Sequence, residues 1–296
     1  MSSDTVSLHE AGFYRRQTAE RLECLLCPRH CVIHDNSSGF CRVRVNHGGV
    51  LYALTYGYPV ALHNDPIEKK PLARFQPGSR SFSIGTFGCN MDCAFCQNDT
   101  LSHGTYNERF QPNYIEPQAI VEQAFKERCA SIAFTYNEPT VFIEYAMDIA
   151  RLARRHNLKT VLVSNGYITP AAAQEFYPLI DAANIDVKAF SERFYEEMTN
   201  SRLAVVLDAV ESLFRLGIHL ELTTLVIPGY NDAPEEIDAY LNWVERHLSC
   251  EVPLHFNAFH PAYKCLNIPR TPRETLELIR DRAVERGFRA VYLGNI

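Results

Sequence analysis

Phe82-Ser83-Ile84-Gly85-Thr86-Phe87-Gly88-Cys89-Asn90-Met91-Asp92-Cys93-Ala94-Phe95-Cys96 runs from a short apolar segment straight into a loop that carries three cysteines. The first five residues read as a strand, which puts the cysteines just past its C-terminal end. Three thiolates spaced C-x3-C-x2-C can hold three irons of a [4Fe-4S] cube and leave the fourth iron without a protein ligand, open to chemistry. Two plainer readings compete. A zinc knuckle needs a fourth ligand, normally from a second, paired knuckle. Unliganded buried thiols belong in a core segment, and the loop-like Gly88-Cys89-Asn90 start does not look like one.

Downstream of this loop, short apolar runs alternate with amphipathic stretches of helical length. Strands are expected at 82–86, 131–136, 160–164, 183–187, 220–227, 254–259 and 290–293. Helices are expected at 117–128, 140–156, 170–177, 203–216, 234–247 and 272–286, several opening with proline, whose missing N–H costs nothing in a first helical turn. Such alternation implies right-handed βα units and a parallel sheet. A doubly wound sheet and a barrel both satisfy the pattern. Polar and ionisable residues stand just beyond the C-terminal end of nearly every strand, and a barrel gathers those ends around one mouth. Six βα units and one extra strand then predict a partial (β/α)6 barrel over residues 76–296.

Residues 1–75 differ in texture and form a small cysteine-rich region. A helical stretch is expected around His9 to Glu20, a strand at 50–54, and an ordered connector from Asp65 to Leu72 before the Pro77-Gly78 turn. Cys24, Cys27, Cys31 and Cys41 make a complete four-thiolate set, suited to structural zinc and equally to an auxiliary iron–sulfur cluster; His30 or His34 can replace one thiolate. Cys129, Cys250 and Cys265 read as ordinary small residues.

Among the strand ends, Ser164-Asn165-Gly166 is a polar turn able to hydrogen-bond a carboxylate or ribose, or simply a strand-to-helix turn. Asp186 and Lys188, two apart on a strand, share a face and point into the barrel, as an internal ion pair or as ligand-positioning groups. The Thr135-Tyr136-Asn137-Glu138-Pro139-Thr140 stretch reads as a helix start, with Asn137 as cap and Glu138 and Pro139 in the first turn.

The chain has 296 residues, 46% hydrophobic and 22% charged, with a formal net charge of −6. It is long enough for one large α/β domain with an appendage. No run of about 18 apolar residues suggests a membrane helix. The polar start Met1-Ser2-Ser3-Asp4 does not read as a signal peptide, and ten cysteines without one point to metal ligation in a reducing cytoplasm. The charge balance gives no electrostatic reason to expect nucleic acid.

The cysteine loop, including Phe95 directly before its third cysteine, resembles the signature of the radical S-adenosylmethionine (SAM) superfamily. With the Cys24-to-Cys31 cluster, the Asp65 to Leu72 segment, Cys96-Gln97-Asn98, Thr135 to Thr140 and the terminal Tyr292-Leu293-Gly294-Asn295, the whole chain is similar to the radical SAM enzyme of the AmmeMemoRadiSam system, a relative of pyruvate formate-lyase activating enzymes. The resemblance implies a [4Fe-4S] cluster on Cys89, Cys93 and Cys96 that cleaves SAM to a 5′-deoxyadenosyl radical. It implies SAM contacts from Phe95, Gln97, Asn137, Glu138, Ser164, Asn165, Asp186 and Lys188, with Ile227 and Gly229 under the adenine and His260 near SAM. Also implied are a low-potential electron donor such as flavodoxin or ferredoxin, and a protein or small-metabolite substrate, a protein loop entering through the barrel's lateral opening. Two departures stand out: Thr135 to Thr140 lacks the glycines of the family's Gly-Gly-Glu motif, and Asp99 stands where relatives carry tryptophan. The alternative reading is an iron–sulfur electron carrier or zinc-stabilised binding module.

Overall fold

A computed structural model describes residues 8–106 and 112–296; the start Met1 to Asp4 lies outside them. Local signals fix the repeating unit. Helices α2 (Pro117–Lys126), α4 (Pro170–Phe176) and α7 (Pro234–His247) each carry proline in the first turn. Helices α2, α3 (Ile143–Arg155), α6 (Leu203–Arg215) and α8 (Arg273–Glu285) each leave through a left-handed residue: Arg128, Asn157, Gly217 and Gly287. The next amide closes back on the helix, Cys129 to Ala124 O (3.0 Å), Leu158 to Ala153 O (3.0 Å), Ile218 to Leu213 O (3.3 Å) and Phe288 to Ala283 O (3.2 Å), a C-cap that turns the chain sharply. A strand starts within four residues of each left-handed exit. Two short helical segments, α1 (Asp99–Ser102) and α5 (Glu192–Phe194), follow the first and fourth strands of this series.

The seven strands so produced are β8 (Arg80–Gly85), β9 (Ser131–Phe134), β10 (Lys159–Ser164), β11 (Ala182–Asp186), β12 (His219–Val226), β13 (Leu254–Ala258) and β14 (Val291–Gly294), all parallel and in chain order. The sheet does not close, so the expected partial barrel is what forms. On α3, Ile143, Ala146, Met147, Ala150 and Ala153 are buried, the one-sided stripe expected of a helix lying on a sheet. Each such fully buried Ile or Met side chain contributes roughly 1.5–3 kcal/mol.

The N-terminal part corrects one expectation. His9 to Glu20 is not helical: it holds β1 (His9–Glu10) and β2 (Tyr14–Arg16). Gly12 and a left-handed Phe13 (φ 55°) break the segment, and β2 pairs with β3 (Arg21–Cys24), which pairs with β4 (Val32–His34). Tertiary pairing overrides weak local helix propensity here. β1, β6 (Val50–Ala53) and β5 (Arg44–His47) make a second three-stranded sheet. Strand β7 (Ala61–Pro66), upstream of residue 75, pairs antiparallel with β8 as an edge of the large sheet. The following segment crosses beneath the barrel, where Asn184 donates to Pro71 O (2.7 Å) and Glu221 accepts the amides of Ala73 and Arg74 (2.9 and 2.8 Å).

Candidate SAM and cluster site

One cavity of about 940 Å³ occupies the barrel mouth, and Cys89, Phe95, Glu138, Asn165 and Lys188 are among its lining residues. Also on its wall are Cys93, Cys96, Gln97, Asn137, Ser164 and Asp186. The alternation of strands and helices accounts for this convergence: each residue lies at or just past the end of β8, β9, β10 or β11. Ile227, Gly229 and His260 are not on that wall. Ile227 is fully buried, its amide donating to Asn231 Oδ1 at 2.6 Å, and the Gly229 amide donates to Asp232 at 2.8 Å.

The cysteine loop is held from below by Asn137. Its Oδ1 accepts the Thr86 amide (2.9 Å), while Nδ2 donates to Thr86 Oγ1 (2.9 Å), Phe87 O (3.1 Å) and Gly88 O (2.8 Å). That side chain is committed to the loop, so its role in this geometry is to position the cysteines. Gly88 is required by contact: at φ 91° an added Cβ would stand 2.6 Å from Cys41 O. The Met91 amide (3.4 Å) and Asn165 Nδ2 (3.7 Å) point at Cys89 Sγ, donors that suit a thiolate. Burial pushes the Cys93 thiol up to about 12, so without metal it stays protonated, and iron binding must release its proton.

Tyr136 answers the missing glycines. It adopts φ 73°, a left-handed conformation that costs a non-glycine residue about 1–2 kcal/mol. Its hydroxyl donates to Asp65 (2.5 Å), which also takes Lys70 (2.6 Å), and its carbonyl accepts from Asn98 (2.9 Å). The surroundings therefore hold the backbone where glycine would sit freely.

Glu138, only 2% exposed, receives four neutral donors. Thr140 N (2.9 Å), Thr140 Oγ1 (2.6 Å) and Ser164 Oγ (2.8 Å) bind one oxygen, and Asn165 N (2.9 Å) binds the other. Burial pushes its carboxyl above the ordinary range, against those hydrogen bonds. No ion pair to it is found among the described residues, and it faces the cavity. Asn165 also donates to Asn90 Oδ1 (2.9 Å), so Ser164 and Asn165 tie Glu138 to the cysteine loop.

Lys188 pairs with Asp186 at 3.0 Å, its ammonium 5.9 Å from the Phe95 ring. Burial opposes its charge, but the Asp186 carboxylate and Cys93 hold its pKa above the ordinary lysine value. Sequence reasoning gave no role to Asn231, which donates to Lys188 O (2.6 Å) and Leu225 O (2.9 Å) and so fixes the β11 end against β12. It also overlooked Lys70, His255 and Asn257 on the cavity wall. The parity of β13 was the available signal, since 255 and 257 share a face.

Cys24, Cys27, Cys31 and Cys41 gather around a separate cavity of about 10 Å³. Among the described residues no group of three His, Cys, Asp or Glu side chains is drawn close enough to hold an ion as placed. The three thiols of the mouth nevertheless share one wall, and an iron–sulfur cube suits that arrangement because each thiolate binds a different iron.

Residues 83–243 match the model of the Radical SAM superfamily. The chain belongs to the radical SAM superfamily, whose members cleave SAM at an iron–sulfur cluster. It is 40% identical to an uncharacterized protein of Methanocaldococcus jannaschii over 98% of this chain and 86% of that one. It is 21% identical to the benzylsuccinate synthase activating enzyme of Thauera aromatica, over 78% of this chain and 74% of the relative. A radical SAM methyltransferase from Sphaerobacter thermophilus shares the fold, with TM-score 0.58 and 13% identity over 98% of this chain and 78% of that one. Among the described residues, no helix is long and apolar enough to cross a membrane.

Proposed function

We propose that Cys89, Cys93 and Cys96 carry the [4Fe-4S] cluster and that Glu138 receives the ammonium group of SAM bound at the cluster's open iron. The observation that carries this reading is a buried carboxylate with no cationic partner, on the wall shared with the three cysteines. A buried charge lacking a counterion is costly, and the SAM ammonium would supply one. When bound, the cluster delivers the electron that breaks the SAM sulfonium bond to methionine and a 5′-deoxyadenosyl radical. Ser164 and Asn165 orient Glu138, Asn137 braces the loop, and Lys188 offers its ammonium to the SAM carboxylate while Asp186 takes the ribose. Ile227 and Gly229 take the adenine end, and His260 lies near SAM, as the family resemblance implies. Gln97, exposed beside Cys96, and Phe95 complete the SAM side.

The radical abstracts hydrogen from a substrate. Likeness to a glycyl-radical activating enzyme and an unclosed sheet favour a loop of a partner polypeptide over a small metabolite. The electron comes from a low-potential donor such as flavodoxin or ferredoxin in the cytoplasm. Cys24, Cys27, Cys31 and Cys41 hold a second metal, zinc or an auxiliary iron–sulfur cluster.

The test is anaerobic: reduced wild-type protein should convert SAM to methionine and 5′-deoxyadenosine, and the Cys89→Ala/Cys93→Ala/Cys96→Ala variant should not. Turnover undiminished in that variant would sink the assignment. Deuterium transferred into 5′-deoxyadenosine from a labelled polypeptide supports the partner; transfer only from a small metabolite overturns it.

A further inference from the structure

The N-terminal cysteine cavity has features that no disulfide pair or free thiol set requires. Cys24 ends β3, Cys27 and Cys31 frame the turn before β4, and Cys41 precedes β5, so three separate backbone segments converge on it. All four are free thiols. One backbone amide points at a sulfur: Phe40 N donates to Cys31 Sγ (3.4 Å). Such a donor suits a thiolate, because its hydrogen bond strengthens as the acceptor gains charge.

Arg44 adds an independent sign. It is 1% exposed and lines the same cavity. Its Nη1 binds Glu144 (2.9 and 3.1 Å) and its Nη2 donates to Gly12 O (2.5 Å). Its Nε is buried with no partner among the described residues. A buried guanidinium donor on a residue that lines the cysteine cavity, lacking an acceptor, is offset by negative charge placed there.

Deepening the second-metal part of the reading above, we infer that Cys24, Cys27, Cys31 and Cys41 form a coordinatively closed tetrathiolate centre in which Arg44 Nε is a positioning donor to the thiolates. Four thiolates around a divalent ion, or around a [4Fe-4S] core, leave a net negative charge that can accept from the free Nε, while the other end of the guanidinium stays paired with Glu144. Both metals present the same ligand chemistry. The centre abuts the SAM loop: Arg29 Nε donates to Asn90 O at 2.5 Å, and Cys41 O lies over Gly88.

Metal is counted in the Cys89→Ala/Cys93→Ala/Cys96→Ala protein, prepared anaerobically, so that the result does not depend on SAM chemistry. One zinc per chain, or about four irons, remaining in that variant supports the centre and names the metal. A metal-free variant, or recovery of the four thiols as two disulfides, overturns it. Arg44's part is tested in the same background by the rate of metal loss to a chelator. Arg44→Met should speed release about tenfold, while Glu144→Gln, which breaks the same ion pair but keeps Nε, should not. Equal acceleration by both variants would make Arg44 merely structural and overturn its donor role.

Discussion

Two buried glutamates, Glu138 just past β9 at the mouth of the barrel and Glu221 on β12 at its base, meet opposite surroundings. Glu221, fully buried, accepts His219 Nε2 (2.9 Å), His255 Nε2 (2.6 Å) and the amides of Ala73 and Arg74. Burial opposes its charge, yet these partners pull its carboxyl down to about 2. Glu138 has as many donors, all of them neutral, and its carboxyl is pushed up. The base is electrostatically complete and holds the plugging segment in place. At the mouth, the proposed SAM ammonium is what would complete the surroundings of Glu138, and that difference is what the variants below probe.

The largest effect expected from breaking this contrast falls at the base. Glu221 has a folded pKa depressed from 4.5 to about 2, so its stabilisation is present above pH about 4.5 and is lost as pH falls toward 2. At about 1.4 kcal/mol per pKa unit this amounts to roughly 3 kcal/mol, and Glu221→Gln should lose a comparable amount in urea unfolding at neutral pH. Its SAM affinity, measured by calorimetry, should change less than twofold.

Glu138→Gln should invert that pattern. A charge-assisted hydrogen bond is worth about 1.5–3 kcal/mol, so SAM should bind roughly 10- to 100-fold more weakly while the iron content holds. Because the carboxyl is pushed up, wild-type affinity should rise with pH as Glu138 ionises above its ordinary 4.5, and the variant should show no such rise. A variant that binds SAM as tightly as wild type would remove Glu138 from the site.

Smaller effects sharpen the same distinction. Asn137→Ala leaves the Phe87 and Gly88 carbonyls without that donor and should cost about 1–3 kcal/mol, read as lower iron retention on dilution. Tyr136→Phe removes one of the donors to Asp65 and should cost about 1 kcal/mol, seen as a small drop in melting temperature with SAM turnover retained.

Much of this architecture was legible in the chain. Proline starts and left-handed exits such as Gly217 and Gly287 mark helix limits locally, so the sequence-derived helices lie within a few residues of those observed. The His9 to Glu20 segment was not legible, because its strands exist only by pairing with β3 and β6. At the site, spacing exposed the three cysteines and parity exposed Asp186 and Lys188. The saturation of Asn137 and the brace from Asn231 depend on where distant carbonyls arrive, which no local pattern encodes.

By itself the sequence determined the alternation of strands and helices, the two cysteine sets, and the presence of acidic, amide and basic groups at successive strand ends, since these follow from local propensity and spacing. Only the tertiary structure decided which of those groups are free to meet a ligand. Asn137 is consumed by the loop, Glu221 is satisfied by two histidines and two backbone amides, and Glu138 meets no cation among the described residues; each outcome is set by hydrogen-bond partners and burial contributed from elsewhere in the chain.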